Sequence, residues 1–268
     1  MTGAWIGSVA GLALTNSLVM PLAGNSWRTT FLFYAVVVFL AGTAWWFLGR
    51  DIRQEMVARR MGLFRTLAEI VGMRNVRLML VMGFVTLATI SGYNAWLPKV
   101  LESGGLSPEM AGLAASVGVF AGIPAVLVMP HVIPMHVRGR ALAVCALGVA
   151  IGLWGVVGAS GPLQYAAIAL LGFTVSAFIP VLTLIMMDSS GVPLEYLGSA
   201  NGVFMSVAQI GGFLSPLMMG ALLDMTGGFL AGVLVLAALN AAIIPAAFGL
   251  RTATSASADA VKGMGASR

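Results

Sequence analysis

Nine side chains able to hydrogen-bond or to stack lie inside the long apolar runs of this sequence: Thr15, Asn16, Thr89, Tyr93, Asn94, Trp96, Thr174, Ser176 and Gln209. All are neutral at pH 7. Such a set exchanges partners rather than breaking bonds. An amide or hydroxyl held at depth can replace the hydrogen bonds that a small polar solute loses when it sheds water, and Tyr93 or Trp96 would close the end of such a path. Each residue also has a structural role open to it. Serine and threonine inside apolar helices bond their own backbone or a neighbouring helix, and a tryptophan near the end of a span sits in the interfacial aromatic belt.

Bond-making chemistry finds little support. No ionisable residue lies near the middle of any apolar run, although an intramembrane charge would be the first sign of a functional site because burying it costs several kcal/mol. The sequence has no H-E-x-x-H zinc pattern, no G-x-S-x-G elbow and no paired carboxylates. A membrane-embedded enzyme is therefore the weakest reading. His131 and His136 are five residues apart, off one helix face, and lie at the boundary that carries Arg138 and Arg140, so they read as loop histidines rather than a metal pair. Cys145 is the single cysteine and lies in an apolar run, which makes it a buried structural thiol. No cofactor is implied.

The elements that carry these residues are long. Of 268 residues, 59% are hydrophobic and 9% charged, with a mean hydropathy of +0.99, against roughly 25% charged residues in soluble domains. Uncharged stretches at 1–27, 29–49, 78–98, 110–137, 141–187, 196–223 and 225–250 each exceed the roughly 20 residues a helix needs to cross hydrocarbon. Transmembrane strands would be about 10 residues long and alternating. The 141–187 run is too long for one span, and "GASGPLQ" at 158–164 breaks it. The expected fold is all-α and polytopic, with eight spans near 3–23, 29–49, 78–98, 109–130, 141–158, 163–187, 198–223 and 228–250. The N-terminus has neither the basic flank nor the short core of a signal peptide, so the first span is expected to be retained.

Basic residues orient these spans. The side holding 50–77, 131–140 and the C-terminal tail carries Arg50, Arg53, Arg59, Arg60, Arg65, Arg74, Arg77, Arg138, Arg140, Arg251, Lys262 and Arg268, whereas the other carries Arg28 and Lys99. Twelve against two makes the basic side cytoplasmic, and both termini with it. The net charge of +5 thus records topology in a bilayer and does not imply a nucleic-acid partner. The 188–199 loop, with Asp188 and Glu195 and no basic residue, is the exception; acids contribute little to orientation. The 28-residue segment 50–77 is either an amphipathic helix on the anionic inner leaflet, with Met56, Leu63, Leu67 and Ile70 in the interface, or a solvated connector. The small, polar tail 251–268 is expected to be disordered.

A shift of 195 places Gly3 on Gly198, Gly7 on Gly202, Ala13 on Ala208, Pro21 on Pro216 and Leu22 on Leu217. Six helix-plus-loop units separate the two copies, as in transporters built from duplicated halves. Here the chain resembles the major facilitator superfamily, with twelve helices in two six-helix halves. The resemblance rests on "GNSWRTTFLFY" at 24–34, similar to the W-R-x-x-F junction of helices five and six. It rests too on the arginine-rich segment in the central-loop position, and on "GSANGVFMSVAQIGGFLSPLMMGALLDMTGGF" at 198–229, similar to helix eleven and its exit. It implies that the chain corresponds to helices five to twelve. Residues 1–49 would then be the last two helices of the first half, 50–77 the central loop, 78–250 the complete second half and 251–268 the tail.

Two departures from the family's patterns bear on subfamily. The 8–9 loop signature G-x-x-x-D-x-x-G-R reads Val132, His136, Gly139 and Arg140 here, which marks His136, Gly139 and Arg140 as cytoplasmic gating-loop candidates while replacing the aspartate of a charge relay. The helix-five signature of drug/proton antiporters is met at Gly7, Pro21 and Gly24 but not at Asn16, Met20 and Asn25, which argues against a multidrug exporter. Residues 93–127 are loosely similar to the cyanate and nitrate/nitrite group. The resemblance implies a secondary transporter moving a small polar or anionic solute by alternating access, with the nine neutral residues near the central cavity. Proton or ion coupling would rest on groups not visible in this portion. A remnant that folds without a complete pathway is the alternative. Small-xxx-small spacing at Gly3, Gly7 and Gly11, Gly118 and Gly122, Gly148 and Gly152, and Gly198 and Gly202 would let helix backbones approach closely.

Overall fold

The computed structural model describes residues 15–24, 26–49, 63–188 and 196–250, without the side chains of Asn16, Ser17, Leu63, Phe64, Thr66 and Asp188. The described residues are helical, with no strand among them, and seven of their helices are long and apolar enough to span a membrane. Of the eighth expected span, residues 3–14 lie outside the described residues, and Thr15–Val19 forms a π-helical turn leading into Met20–Leu22. The chain divides into two compact units, Met1–Ala58 and Arg59–Arg268.

In the first unit, α1 runs from Trp27 to Leu48. Ser26 caps it by accepting from the Thr29 amide at 3.5 Å, and the Thr30 hydroxyl returns to the Ser26 carbonyl at 3.0 Å. Arg28 lies 4.8 Å from the Trp27 ring centre, and Phe31 meets that ring edge-on. Apolar side chains cover α1 on all sides and are exposed almost throughout, as a lipid-facing span requires.

The second unit holds α2 (Leu63–Gly72), α3 (Arg74–Ser103), α4 (Pro108–Val132), α5 (Arg138–Gly158), α6 (Pro162–Asp188), α7 (Leu197–Thr226), α8 (Leu230–Ala241) and α9 (Ile243–Gly249). Ser107 caps α4, with Pro108 at its first position. Gly227 ends α7 at φ 72°, a left-handed conformation that glycine adopts without strain, returning its amide to Leu223 at 2.8 Å. The last expected span breaks at Ala242 because Pro245 offers no amide to the Ala241 carbonyl. Gln164 reaches back from α6 to the Val156 carbonyl at 2.9 Å, satisfying an acceptor in the last turn of α5. Helix α2 turns at least part of its apolar face inward: Ile70 is fully buried, and the Tyr196 hydroxyl donates to Glu69 at 3.2 Å.

Glycines set how the helices pair. Gly83 faces Phe204, Gly211 the Phe84 carbonyl, Gly212 Ser91, Gly92 Ser215 and Gly220 Trp96, so residue numbers rise together and α3 and α7 run parallel. Helices α4 and α6 are parallel by the same test, with Gly118 against Ile168 and Gly172, and Gly122 against Ser176. Between α5 and α6 the order reverses, Gly148 meeting Thr174, Gly152 Leu171 and Gly155 Ala167. The Gly118/Gly122 and Gly148/Gly152 spacings therefore mark helix contacts. Gly198 and Gly202 face open space, while Gly3, Gly7 and Gly11 lie outside the described residues.

This contrast gives a stability prediction. A methyl group on Gly172 would strike the Gly118 carbonyl, backbone that cannot rotate away. Gly172→Ala is expected to destabilise the protein by about 1–3 kcal/mol or more, whereas Gly202→Ala, in an open helix interior, is expected to stabilise it by about 0.5–1 kcal/mol. Thermal unfolding in detergent micelles compares the two directly, and equal shifts would contradict the packing.

Candidate functional site

The polar residues of α3 point in three directions. Thr86 and Thr89 bond their own helix at Met82 and Val85, 2.7 and 2.9 Å away, and Thr89 also accepts from the amide of Asn240 on α8 at 2.6 Å. Thr89 and Asn240 are both almost fully buried, so this pair holds helices together inside the unit. Tyr93 points toward α4 and α6, its hydroxyl 2.7 Å from where a methyl on Gly118 would stand, buried and without a hydrogen-bond partner. Trp96 donates its indole N–H to the Pro216 carbonyl of α7 at 3.0 Å and stacks obliquely on Phe229.

Asn94 alone among the α3 candidates faces out, and Gln209 of α7 is exposed as well. Between the two helices lies the Gly212 seam: a side chain there would meet Ser91 Oγ at 3.0 Å and Gln209 Oε1 at 3.7 Å. Ser91 stands one turn before Asn94. The prolines of these helices add to the polarity. Pro98 lacks the amide that would bond the Asn94 carbonyl, and Pro216 lacks the one that would bond Gly212. Ser91, half-buried, and Asn94 and Gln209, both exposed, thus form a polar strip beside two backbone carbonyls that have lost their helical partners.

The other candidates are placed elsewhere. Thr174 bonds the Leu170 and Leu171 carbonyls of its own helix and packs on Gly148 of α5. Ser176 lies between α6 and Gly122 of α4. In the first unit, Thr15 Oγ1 and Tyr34 Oη are 2.6 Å apart, and the Asn16 side chain lies outside what the structure describes. His131 contacts the Leu127 carbonyl of its own helix. His136, Gly139 and Arg140 line a groove with Ile185, Ala247, Phe248 and Leu250.

Three residues passed over in the sequence acquire positions here: Ser91 in the strip, Asn240 as the partner of Thr89, and Ser215, whose buried hydroxyl has no partner. Asn240 carried the same signal as Asn94, an amide within an apolar run. Ser91 lies three residues before Asn94, on the same helix face.

A family model described as Major Facilitator Superfamily matches residues 1–216. An uncharacterized protein of Archaeoglobus fulgidus is 27% identical over 183 residues, covering 67% of this chain and 82% of that protein. Among solved structures, the E. coli fucose:proton symporter superposes with a TM-score of 0.69 at 16% identity, over 93% of this chain and 67% of that one, a likeness of fold. Apolar spans, glycine-seamed helix pairs and a family match over most of the chain lead to one conclusion: this multi-pass membrane protein belongs to the Major Facilitator Superfamily of transporters.

Proposed function

We propose that the strip of Ser91, Asn94 and Gln209 is this unit's face of a solute pathway, and that the chain acts as a secondary transporter of a small neutral polar solute. One observation carries the reading: two amide side chains are exposed within membrane-length helices. An amide facing hydrocarbon costs several kcal/mol, so the face that bears them borders water. The Asn94 and Gly212 carbonyls, deprived of helical amides, meet the same requirement, since irregular backbone at membrane depth is tolerated where it lines a cavity.

The chemistry of the strip selects the solute. Amide and hydroxyl groups both donate and accept, which matches a hydroxylated compound such as the fucose in the name of the structurally similar symporter. An anion would meet no cation there. Binding energy would come from a few neutral hydrogen bonds of about 0.5–1.5 kcal/mol each, weak enough for release on the far side. Alternating access would carry the site from one side to the other. The strip has no titratable side chain, so a proton or ion driving uphill transport is carried by groups outside it. The twelve-to-two distribution of basic residues favours a cell-membrane orientation with the 50–77 segment and the C-terminus cytoplasmic.

In proteoliposomes loaded for counterflow with labelled hexoses and polyols, Asn94→Leu and Gln209→Leu are each expected to raise the half-saturation concentration up to about tenfold while expression is kept. Tyr93→Phe removes a hydroxyl with no partner and should leave both uptake and melting temperature near wild type. Full transport by both leucine variants would take the strip out of the pathway.

Orientation is tested separately. After Cys145→Ser, an impermeant thiol reagent on intact cells should label Ser103→Cys and spare Ser257→Cys. The reverse pattern, or labelling of both, would overturn the assignment.

A further inference from the structure

We propose that the groove between the start of α5 and the end of α9 binds the headgroup of an anionic phospholipid. The site lies within the second unit and is independent of the transport reading. Two backbones build it: Gly139 lies so close to α9 that a methyl there would stand 2.9 Å from the Ala247 carbonyl. The groove left beside this contact has a volume of about 140 Å³.

Its two walls differ in kind. His136 and Arg140 supply nitrogen donors; Ile185, Phe248 and Leu250 supply apolar surface. Neither basic residue pairs with a carboxylate among the described residues, where the ion pairs are Arg65–Glu69 and Lys99–Glu102. Arg140 also stands in the first turn of α5, where the partial positive charge of the helix end disfavours a cation and helix stability gives no reason for one. Arg74 adds positive charge nearby, its guanidinium 3.8 Å from where a side chain on Gly249 would begin. The electrostatics call for an anion.

The apolar wall decides which anion. Phe248 is 66% exposed, and the groove lies where the last apolar span ends at Gly249. A soluble phosphate would leave that ring and the adjoining aliphatic surface uncovered. A phospholipid places phosphate against Arg140 and His136 and its glycerol and first acyl carbons against Phe248 and Leu250. Basic pockets between membrane helices bind anionic headgroups in this manner.

The test uses the full chain in nanodiscs of phosphatidylcholine, with and without phosphatidylglycerol. Phosphatidylglycerol should raise the melting temperature of the wild type, Arg140→Ala should weaken lipid affinity about fivefold, and His136→Ala, which removes a hydrogen-bond donor, should weaken it further. Arg77→Ala, an exposed arginine of α3 outside the groove, should keep the wild-type response. Inorganic phosphate added to phosphatidylcholine discs should have no effect; a shift equal to that of phosphatidylglycerol would mean a soluble-anion site and overturn the proposal. So would an unchanged lipid response in the double variant. Photoactivatable phosphatidylglycerol on the unmutated chain gives a reading that does not depend on variant folding. Crosslinks at 136–140 and 247–250 support the site, and crosslinks confined to other segments refute it.

Discussion

Helix α6 meets α4 backbone against backbone, with Gly172 so near the Gly118 carbonyl that a methyl group would not fit. In lipid there is no hydrophobic gain from helix association, because acyl chains are as apolar as leucine. Dispersion contacts and a few buried hydrogen bonds hold the helices, and both fall away steeply with distance. Close approach is therefore the condition on which the second unit rests. Gly211 against the Phe84 carbonyl sets the α3–α7 pair, and Gly152 against Leu171 sets the α5–α6 pair.

The facing of the polar residues follows from that condition. With α3 laid parallel to α7 at the Gly92–Ser215 and Gly212–Ser91 contacts, Thr89 points to Asn240, Tyr93 points to α4 and α6, and Asn94 is left outside. Three side chains within six residues thus end in three environments. Polar groups are distributed in a complementary way along the helices: α3 and α7 carry neutral amides and hydroxyls within their spans, and the groove at the start of α5 is lined by His136 and Arg140.

Much of this was legible from sequence. Hydrophobic run length locates the spans, since lipid demands it, and glycine spacing marks Gly118, Gly122, Gly148 and Gly152 as contact points. The same spacing at Gly198 and Gly202 meets nothing, because a spacing shows that residues share a face and not whether another helix covers it. Trp96 read as a gate or a belt residue, and its bond to Pro216 depends on a partner 120 positions away. Asn240 and Ser91 escaped notice for a related reason. Each is an ordinary polar residue until the helix opposite is known. The 50–77 segment offered two readings at the sequence level, and the burial of Ile70 places at least part of its apolar face against protein.

The Thr89–Asn240 bond joins residues 151 positions apart, and the chain is made from one end. At about 5–20 residues per second, α3 waits roughly eight to thirty seconds between its own synthesis and the arrival of its partner on α8. During that interval the Gly83, Gly92 and Ser91 face is also without α7. The translating ribosome and the membrane-insertion machinery must therefore shelter a helix whose polar contacts do not yet exist. Local hydrophobicity brings α3 into the bilayer, but its final rotation about its own axis is settled only once α8 has been made.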